Sequence, residues 1–215
     1  MAEYETEEER IEAIRTWWKE NGRSIVFGAV LGIGLLLGWR GWIAYQDNQG
    51  RAASTLYAQL LQEAAVHDGG RVAELARRLR EEYGSTPYAA LAALEVAALK
   101  SEAELDQSAG ELSWVMEHGD EAILQDLARL RLARVRIAQG RAEEALKLLD
   151  RDWGLAYAGL VEEARGDAWR AKGDEARARQ AYTKALLSGP ADPAFLRMKL
   201  DELGEAPRPA EAAAG

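Results

Sequence analysis

Cysteine is absent from this chain of 215 residues, and histidine occurs only at His67 and His118. The absence of cysteine excludes disulfide frameworks, thiolate metal sites, iron–sulfur clusters and thiol nucleophiles. Two histidines are too few for a metal centre with several histidine ligands. The chain carries 27 basic and 36 acidic side chains, a formal net charge of −9, whereas nucleic-acid-binding proteins show a clustered basic excess. We therefore expect no metal, no cofactor and no nucleic-acid partner.

Residues that favour β-strands are also scarce. The chain has 8 valines and 7 isoleucines, against 41 alanines and 28 leucines. β-Branched side chains favour strands, whereas alanine and leucine are strong helix formers. Since 48% of the residues are hydrophobic, the composition is sufficient for a packed core. We predict an all-α protein.

One long segment near the N-terminus has almost no charge. Residues 24–39 contain no charged side chain, and residues 24–45 contain one, Arg40. As a helix, residues 24–45 would be about 33 Å long, enough to cross a hydrocarbon core of roughly 30 Å. Tryptophans lie on both sides, at Trp17, Trp18, Trp39 and Trp42, as in the aromatic belts of membrane helices. We predict a single transmembrane helix at 24–45.

Alternative interpretations of this segment fit less well. A buried core helix would be weakened by its glycines, and a cleaved signal peptide would need small residues just after the apolar run. On a helix the glycines form two faces of small residues, which in membranes permit close packing against other helices. The first face has Gly28 and Gly32, and the second has Gly34, Gly38 and Gly41. Either these faces bind partner helices, or glycine is simply common in membrane helices.

Basic residues near the span indicate its orientation. Four precede it, namely Arg10, Arg15, Lys19 and Arg23, whereas on the other side Arg40 lies at the boundary of the span and Arg51 follows it. Lysine and arginine are enriched on the cytoplasmic side. We therefore expect a cytoplasmic N-terminus and, in a Gram-negative host, a periplasmic domain at residues 46–203 and a protein of the inner membrane.

The segment before the span, residues 1–23, has the pattern of an amphipathic helix. Thr6 and Glu9 have the spacing of a capping box, apolar residues recur on one face, and Asn21 with Gly22 predicts the helix end. The segment is either a docking arm for a cytosolic partner or an interfacial helix that leads into the membrane.

Residues 165–190 carry the pattern of a tetratricopeptide repeat, in which small and large residues are placed on two antiparallel helices. The matching positions are Gly166, Trp169, Gly173, Ala178, Tyr182, Ala185 and Pro190. In this pattern Gly166 permits close approach, the Trp169 ring fills the gap between helices, and Gly173 forms the turn.

Similar turn positions recur upstream at spacings of 33 to 37 residues, at Gly70, Ala103 and Gly140. They predict four helical pairs at residues 46–203, with Leu75 and Leu79 on an inner face. A last helix from Asp192 and Pro193 to Leu203 should cover the end of the stack. We predict a flexible tail at residues 204–215. The alternative is an irregular helical bundle.

No arrangement of residues indicates catalysis. Neither histidine has a serine, aspartate or second histidine at a catalytic spacing, so we expect surface or capping roles for both. Acidic pairs such as Glu162 and Glu163 should lie on solvated faces. The repeat frame predicts an inward-facing groove with six candidate residues, which are Leu130, Arg134, Ile137, Glu163, Asp167 and Arg170. We expect a binding scaffold and no enzyme.

Four segments of the chain resemble the YfgM family, the ancillary subunit of the bacterial Sec translocon. They are residues 15–42, 130–150, 165–174 and 198–203, of which the first reads RTWWKENGRSIVFGAVLGIGLLLGWRGW. The resemblance implies an inner-membrane protein with a periplasmic repeat domain that associates with the SecYEG translocon and with a membrane-anchored periplasmic chaperone of the PpiD kind. It also implies a role in passing unfolded secretory clients to periplasmic folding factors, and no catalytic residues. Alternatives are an adaptor in envelope assembly or envelope-stress regulation, or an enzyme with an unrecognised site in the groove.

Overall fold

The computed structural model describes residues 7–100, 104–189 and 191–204, and within these ranges it contains α-helices and no strand. The helices are α1 (Glu7–Ala65), α2 (Gly69–Tyr83), α3 (Pro87–Leu99), α4 (Leu105–His118), α5 (Ala122–Ala138), α6 (Ala142–Leu149), α7 (Ala158–Ala171), α8 (Glu175–Leu187) and α9 (Pro193–Glu202). The prediction of an all-α protein is confirmed. The chain divides into two compact units, residues 1–51 and 52–215.

In the first unit, α1 does not end at Asn21 and Gly22, so that prediction is wrong. A glycine that ends a helix usually adopts a left-handed conformation, but Gly22 is not among the glycines with positive φ. The Asn21 side-chain amide instead donates to the Trp17 carbonyl at 3.1 Å. The Trp18 indole covers Gly22, where an added Cβ would lie 3.2 Å from the ring. Adding a residue to an existing helix is easy compared with starting one, so the helix continues into the apolar segment. The proposed capping box includes Thr6, which lies outside the described residues.

The apolar part of α1 exposes its side chains. Phe27 and Leu35 are 71% and 68% exposed. Among the described helices, α1 is the one that is long and apolar enough to cross a membrane. Such exposure is unfavourable in water and matches a lipid environment. A candidate membrane span is therefore present where the composition predicts it.

The second unit is built from consecutive helical pairs. The end of α1 shares a buried cluster with α2, and the pairs α3–α4, α5–α6 and α7–α8 follow. Gly140 and Gly173, with φ of 75° and 78°, lie at the turns of the last two pairs, as predicted. The first turn differs from the prediction, because it is formed by His67 with φ of 60° and by Asp68, which caps α2. Gly70 lies inside α2, and Ala103 lies outside the described residues.

Four clusters of buried residues connect each pair to the next. In the first cluster Leu56 and Leu60 of α1 contact the α2 face that contains Leu75 and Leu79, together with α3. The last cluster joins α8 to Leu196 of α9. Packing against sequence neighbours is the arrangement of a helical-repeat solenoid, so the repeat prediction is confirmed. The last helix begins at Pro193 after the cap Asp192, also as predicted.

The aromatic residue buried between α7 and α8 is Tyr182. Its side chain is fully buried, and its ring lies directly against Gly166. Trp169, predicted to fill this gap, is only partly buried and packs at the edge of the last cluster. The prediction for Trp169 is therefore corrected. Gly166 has no side chain, so the Tyr182 ring takes the central place.

Candidate interaction surfaces

The first candidate surface is the glycine-rich part of α1. Atoms added at the Cβ positions of these glycines would meet nothing within 4 Å. The positions are Gly28, Gly32, Gly34, Gly38 and Gly41. At 100° per residue, the pair Gly28 and Gly32 lies about 120° around the helix from the other three. Within the first unit both faces are open to a second helix.

The second candidate surface is the predicted groove, and the structure places its six residues in different environments. Leu130 belongs to the core with 2% exposure, so its assignment to a binding groove is wrong. Ile137 is partly buried, and Arg134 is exposed beside Glu163, at 3.6 Å. The remaining three, Glu163, Asp167 and Arg170, lie on one side of α7, because residues three and four apart share a helix face.

The C-terminal helix α9 covers this side of α7. Nζ of Lys199 lies 2.9 Å from Oε1 of Glu163 and 2.7 Å from Oδ1 of Asp167. Arg170 pairs with Glu202 at 2.6 Å. Helix α9 therefore partly fills the predicted groove. The side chains of Glu163, Asp167 and Arg170, which were expected to face a partner, instead pair with residues of α9.

The ion pair of Lys199 with Glu163 is buried, and its ion pair with Asp167 is partly buried. Lys199 is 7% exposed and Glu163 8%, which contradicts the expectation that Glu163 lies on a solvated face. The Tyr182 hydroxyl donates to Asp167 at 2.7 Å. Burial, followed by this hydrogen bond, raises the pKa of Tyr182 above its ordinary value, so the phenol stays neutral to a higher pH than an exposed tyrosine does. Buried charges require partners, and two carboxylates supply them for Lys199.

The sequence pattern did not predict that Lys199 would bind α7. A lysine on an amphipathic helix is usually solvated. Its position could have indicated burial, because Lys199 comes three residues after Leu196, a fully buried residue, and therefore lies on the same helix face. The network holds α9 against α7, and none of its groups forms a recognised catalytic arrangement.

In the described part of the chain, neither histidine makes a hydrogen bond or a ring contact with this network. His118 is the last residue of α4, where Nδ1 is 3.1 Å from the Trp114 carbonyl and the two rings stack at 5.0 Å. His67 lies in the first turn. Among the described residues, no three acidic or histidine side chains are grouped to hold a metal.

Comparisons with known proteins agree with this architecture. Residues 15–205 match the family described as a tetratricopeptide repeat-like domain. A protein of Escherichia coli K12 named "Ancillary SecYEG translocon subunit" is 34% identical, over 94% of this chain and 99% of that relative. Relatives with the same name in Haemophilus influenzae and Neisseria gonorrhoeae are 30% and 29% identical, over 92% and 94% of this chain and 97% and 100% of their own. No solved structure gives a significant match.

These matches include both the apolar part of α1 and the stacked helices. A relative that is 34% identical over nearly the full length of both chains shares its fold and its family. The resemblance found in the sequence segments is thereby confirmed. The chain belongs to the tetratricopeptide repeat-like family that contains the ancillary SecYEG translocon subunits.

Proposed function

We propose that this protein is a non-catalytic membrane scaffold that associates with the SecYEG translocon. The observation that carries the proposal is the similarity to the Escherichia coli relative, which extends over 94% of this chain. It covers the candidate membrane span as well as the repeats, so the shared part includes both the anchor and the binding domain. The name of that relative states the association with SecYEG.

The proposed location is the bacterial inner membrane, with the N-terminus in the cytoplasm and residues 46–203 in the periplasm. Basic residues before the span outnumber those after it, which favours this orientation. In this arrangement the stacked helices of the second unit lie where exported chains emerge. Solenoids of this type expose a large surface for their length, which suits a scaffold.

The proposed partners are SecYEG subunits, a membrane-anchored periplasmic chaperone of the PpiD kind and unfolded secretory clients. The scaffold would bring the chaperone close to the translocon exit and so assist the transfer of clients to folding factors. Because α9 covers the inner side of α7, these contacts would use the exposed parts of the repeat domain and the open glycine faces of α1.

Affinity purification tests this proposal. The tagged full-length chain is extracted in mild detergent from cells that make it, and the co-purifying proteins are quantified by mass spectrometry. A chain with an unrelated membrane helix at residues 24–45 serves as the comparison. We expect SecYEG subunits and a PpiD-like chaperone to be enriched. Recovery of proteins of envelope assembly or stress regulation without SecYEG would favour the adaptor alternative and contradict the proposal.

A further inference from the structure

A groove runs along the outer side of the α7–α8 pair. It consists of two adjoining cavities of about 420 and 200 Å³. Both cavities are lined by Glu162, Arg165 and Lys184, so they form one continuous depression, here called the outer groove. Trp153 and Leu187 line one end of it, and Trp169 and Arg177 line the other.

The outer groove lies on the side of α7 away from α9. At 100° per residue, Arg165 is about 160° around the helix from Asp167, which binds Lys199. The outer groove is therefore separate from the surface that α9 fills.

The charge of the outer groove has the opposite sign to that of the whole chain. Its lining contains four basic side chains and two acidic ones, namely Arg151, Arg165, Arg177 and Lys184, with Asp152 and Glu162. The chain as a whole carries −9. Three of the four cations already have a carboxylate partner, since Arg165 pairs with Glu162 at 2.6 Å, Arg151 with Asp126 at 2.8 Å and Arg177 with Asp174 at 3.4 Å. Lys184 has no ion pair with any described residue. Lys184 is therefore the basic side chain of the outer groove that no described acidic residue already neutralises, and an acidic ligand would pair with it first.

The ends of the outer groove offer aromatic and apolar contacts. Arg177 lies over the Trp169 ring, 4.6 Å from its centroid, and Arg151 lies over Trp153 at 5.5 Å. Leu187 is 84% exposed. Tryptophan and arginine are the side chains most enriched at the energetic centres of protein interfaces. The combination suits a polypeptide that has both acidic and apolar side chains.

We propose that the outer groove binds an extended acidic segment of a partner polypeptide, with an apolar side chain against Trp153 and Leu187. From Ala158 to Trp169 the groove follows about 16 Å of helix, which corresponds to about five residues of extended chain. This inference deepens the proposed function and rests on the chain being a binding scaffold. It names the surface and the chemistry of the segment that the scaffold recognises.

Binding of a labelled peptide to the full-length chain in mild detergent tests the inference. The probe is a short glutamate-rich peptide with one leucine, and fluorescence anisotropy gives the dissociation constant. The test protein carries Lys184→Gln and Arg177→Gln, and the matched control carries Arg197→Gln, an exposed cation on α9. We expect the double substitution to weaken binding about fivefold, as for the loss of two exposed ion pairs, and the control to bind like the unmodified chain. Added salt should also weaken binding.

Three outcomes would overturn the inference. They are equal affinity of the double variant and the unmodified chain, equal loss in the Arg197→Gln control, and tighter binding of a lysine-rich peptide or a single-stranded oligonucleotide than of the acidic peptide. A Leu187→Glu variant that binds as before would contradict the apolar contact. SecYEG recovery from the same variants separates the two proposals. Absence of SecYEG with normal peptide binding contradicts only the proposed function, and groove variants without effect on the peptide contradict only the inference.

Discussion

Gly166 and Tyr182 form the contact that sets the approach of α7 to α8. The Tyr182 ring is fully buried, and a methyl group on Gly166 would clash with it. The hydroxyl is held by Asp167, so the ring cannot move aside without losing that hydrogen bond. The absence of a side chain at Gly166 is therefore required for packing, and no unusual backbone conformation is involved.

We expect Gly166→Ala to lower the free energy of unfolding by about 1–3 kcal/mol, the usual range for overpacking a core. Gly110→Ala is the matched control, because it places the same methyl group on an exposed part of α4 with nothing within 4 Å. The control should raise stability by roughly 0.5–1 kcal/mol, since alanine favours helix more than glycine does. Urea unfolding of a fragment of residues 46–203 measures both changes. Equal effects of the two substitutions would mean that the Gly166 contact is absent.

The residues that the sequence identified correctly are those whose role is local. Gly140 and Gly173 form turns because their positive φ suits glycine, and this information lies within a few residues of each. Lys199 is different, since its burial depends on Glu163, 36 residues away. The assignment of Leu130 and Glu163 to the groove failed for a similar reason. A repeat frame predicts the direction in which a side chain points, but it does not predict which distant residues cover that side chain.

The element whose position matters most for the binding surface is α9. It is attached by the Lys199 network, by the pair Arg170 and Glu202, and by Arg179, which donates to the carbonyls of Leu203 and Gly204. Asp192 and Pro193 made the start of α9 predictable. By contrast, the turn at His67 and the continuation of α1 past Gly22 were not predictable from composition, because in both places the hydrogen bonds of neighbouring residues decide the backbone.

We expect Lys199→Met to reduce the free energy of unfolding by about 3 kcal/mol, the lower end of the range for a broken buried ion pair. It leaves the buried Glu163 with only the longer contact to Arg134, and it leaves the partly buried Asp167 without a cation. Arg197→Met, an exposed position on the same helix, should change stability by no more than about 0.5 kcal/mol. Adding Glu163→Gln and Asp167→Asn to Lys199→Met should recover part of the loss, since neutral amides need no cation. Unfolding curves of the four proteins measure these differences. A loss no greater than that of the Arg197→Met control would show that the network does not hold α9.

At the scale of the whole molecule, the second unit contains its own core. All four clusters consist of residues from Ala53 onwards. We therefore expect a fragment of residues 46–203 to be soluble without detergent and to be helical by circular dichroism. Gel filtration as a stable species is the expected result. Aggregation or loss of helix would mean that the domain needs the apolar helix to fold.

The proposed orientation has a direct test in cells. Protease added after permeabilisation of the outer membrane should digest residues 46–203 and spare a tag at Met1, because the basic residues favour a cytoplasmic N-terminus. A tag placed after Gly215 serves as the comparison and should be lost. Digestion of the Met1 tag with protection of the domain would reverse the orientation, and release of the protein by an alkaline wash would contradict the anchor.

Direct contact with SecYEG inside the membrane is the central part of the proposed function, and site-specific photo-crosslinking in cells measures that contact. A photoreactive residue is placed at Leu35, on the face of Gly28 and Gly32, or at Phe27, on the face of Gly34 and Gly38. Ile33, away from both faces, is the control. At 100° per residue these three positions sample different sides of the helix. We predict crosslinks to SecYEG subunits from Leu35 or Phe27 that exceed those from Ile33. The absence of SecYEG adducts from all three positions would contradict the proposed association with SecYEG inside the membrane.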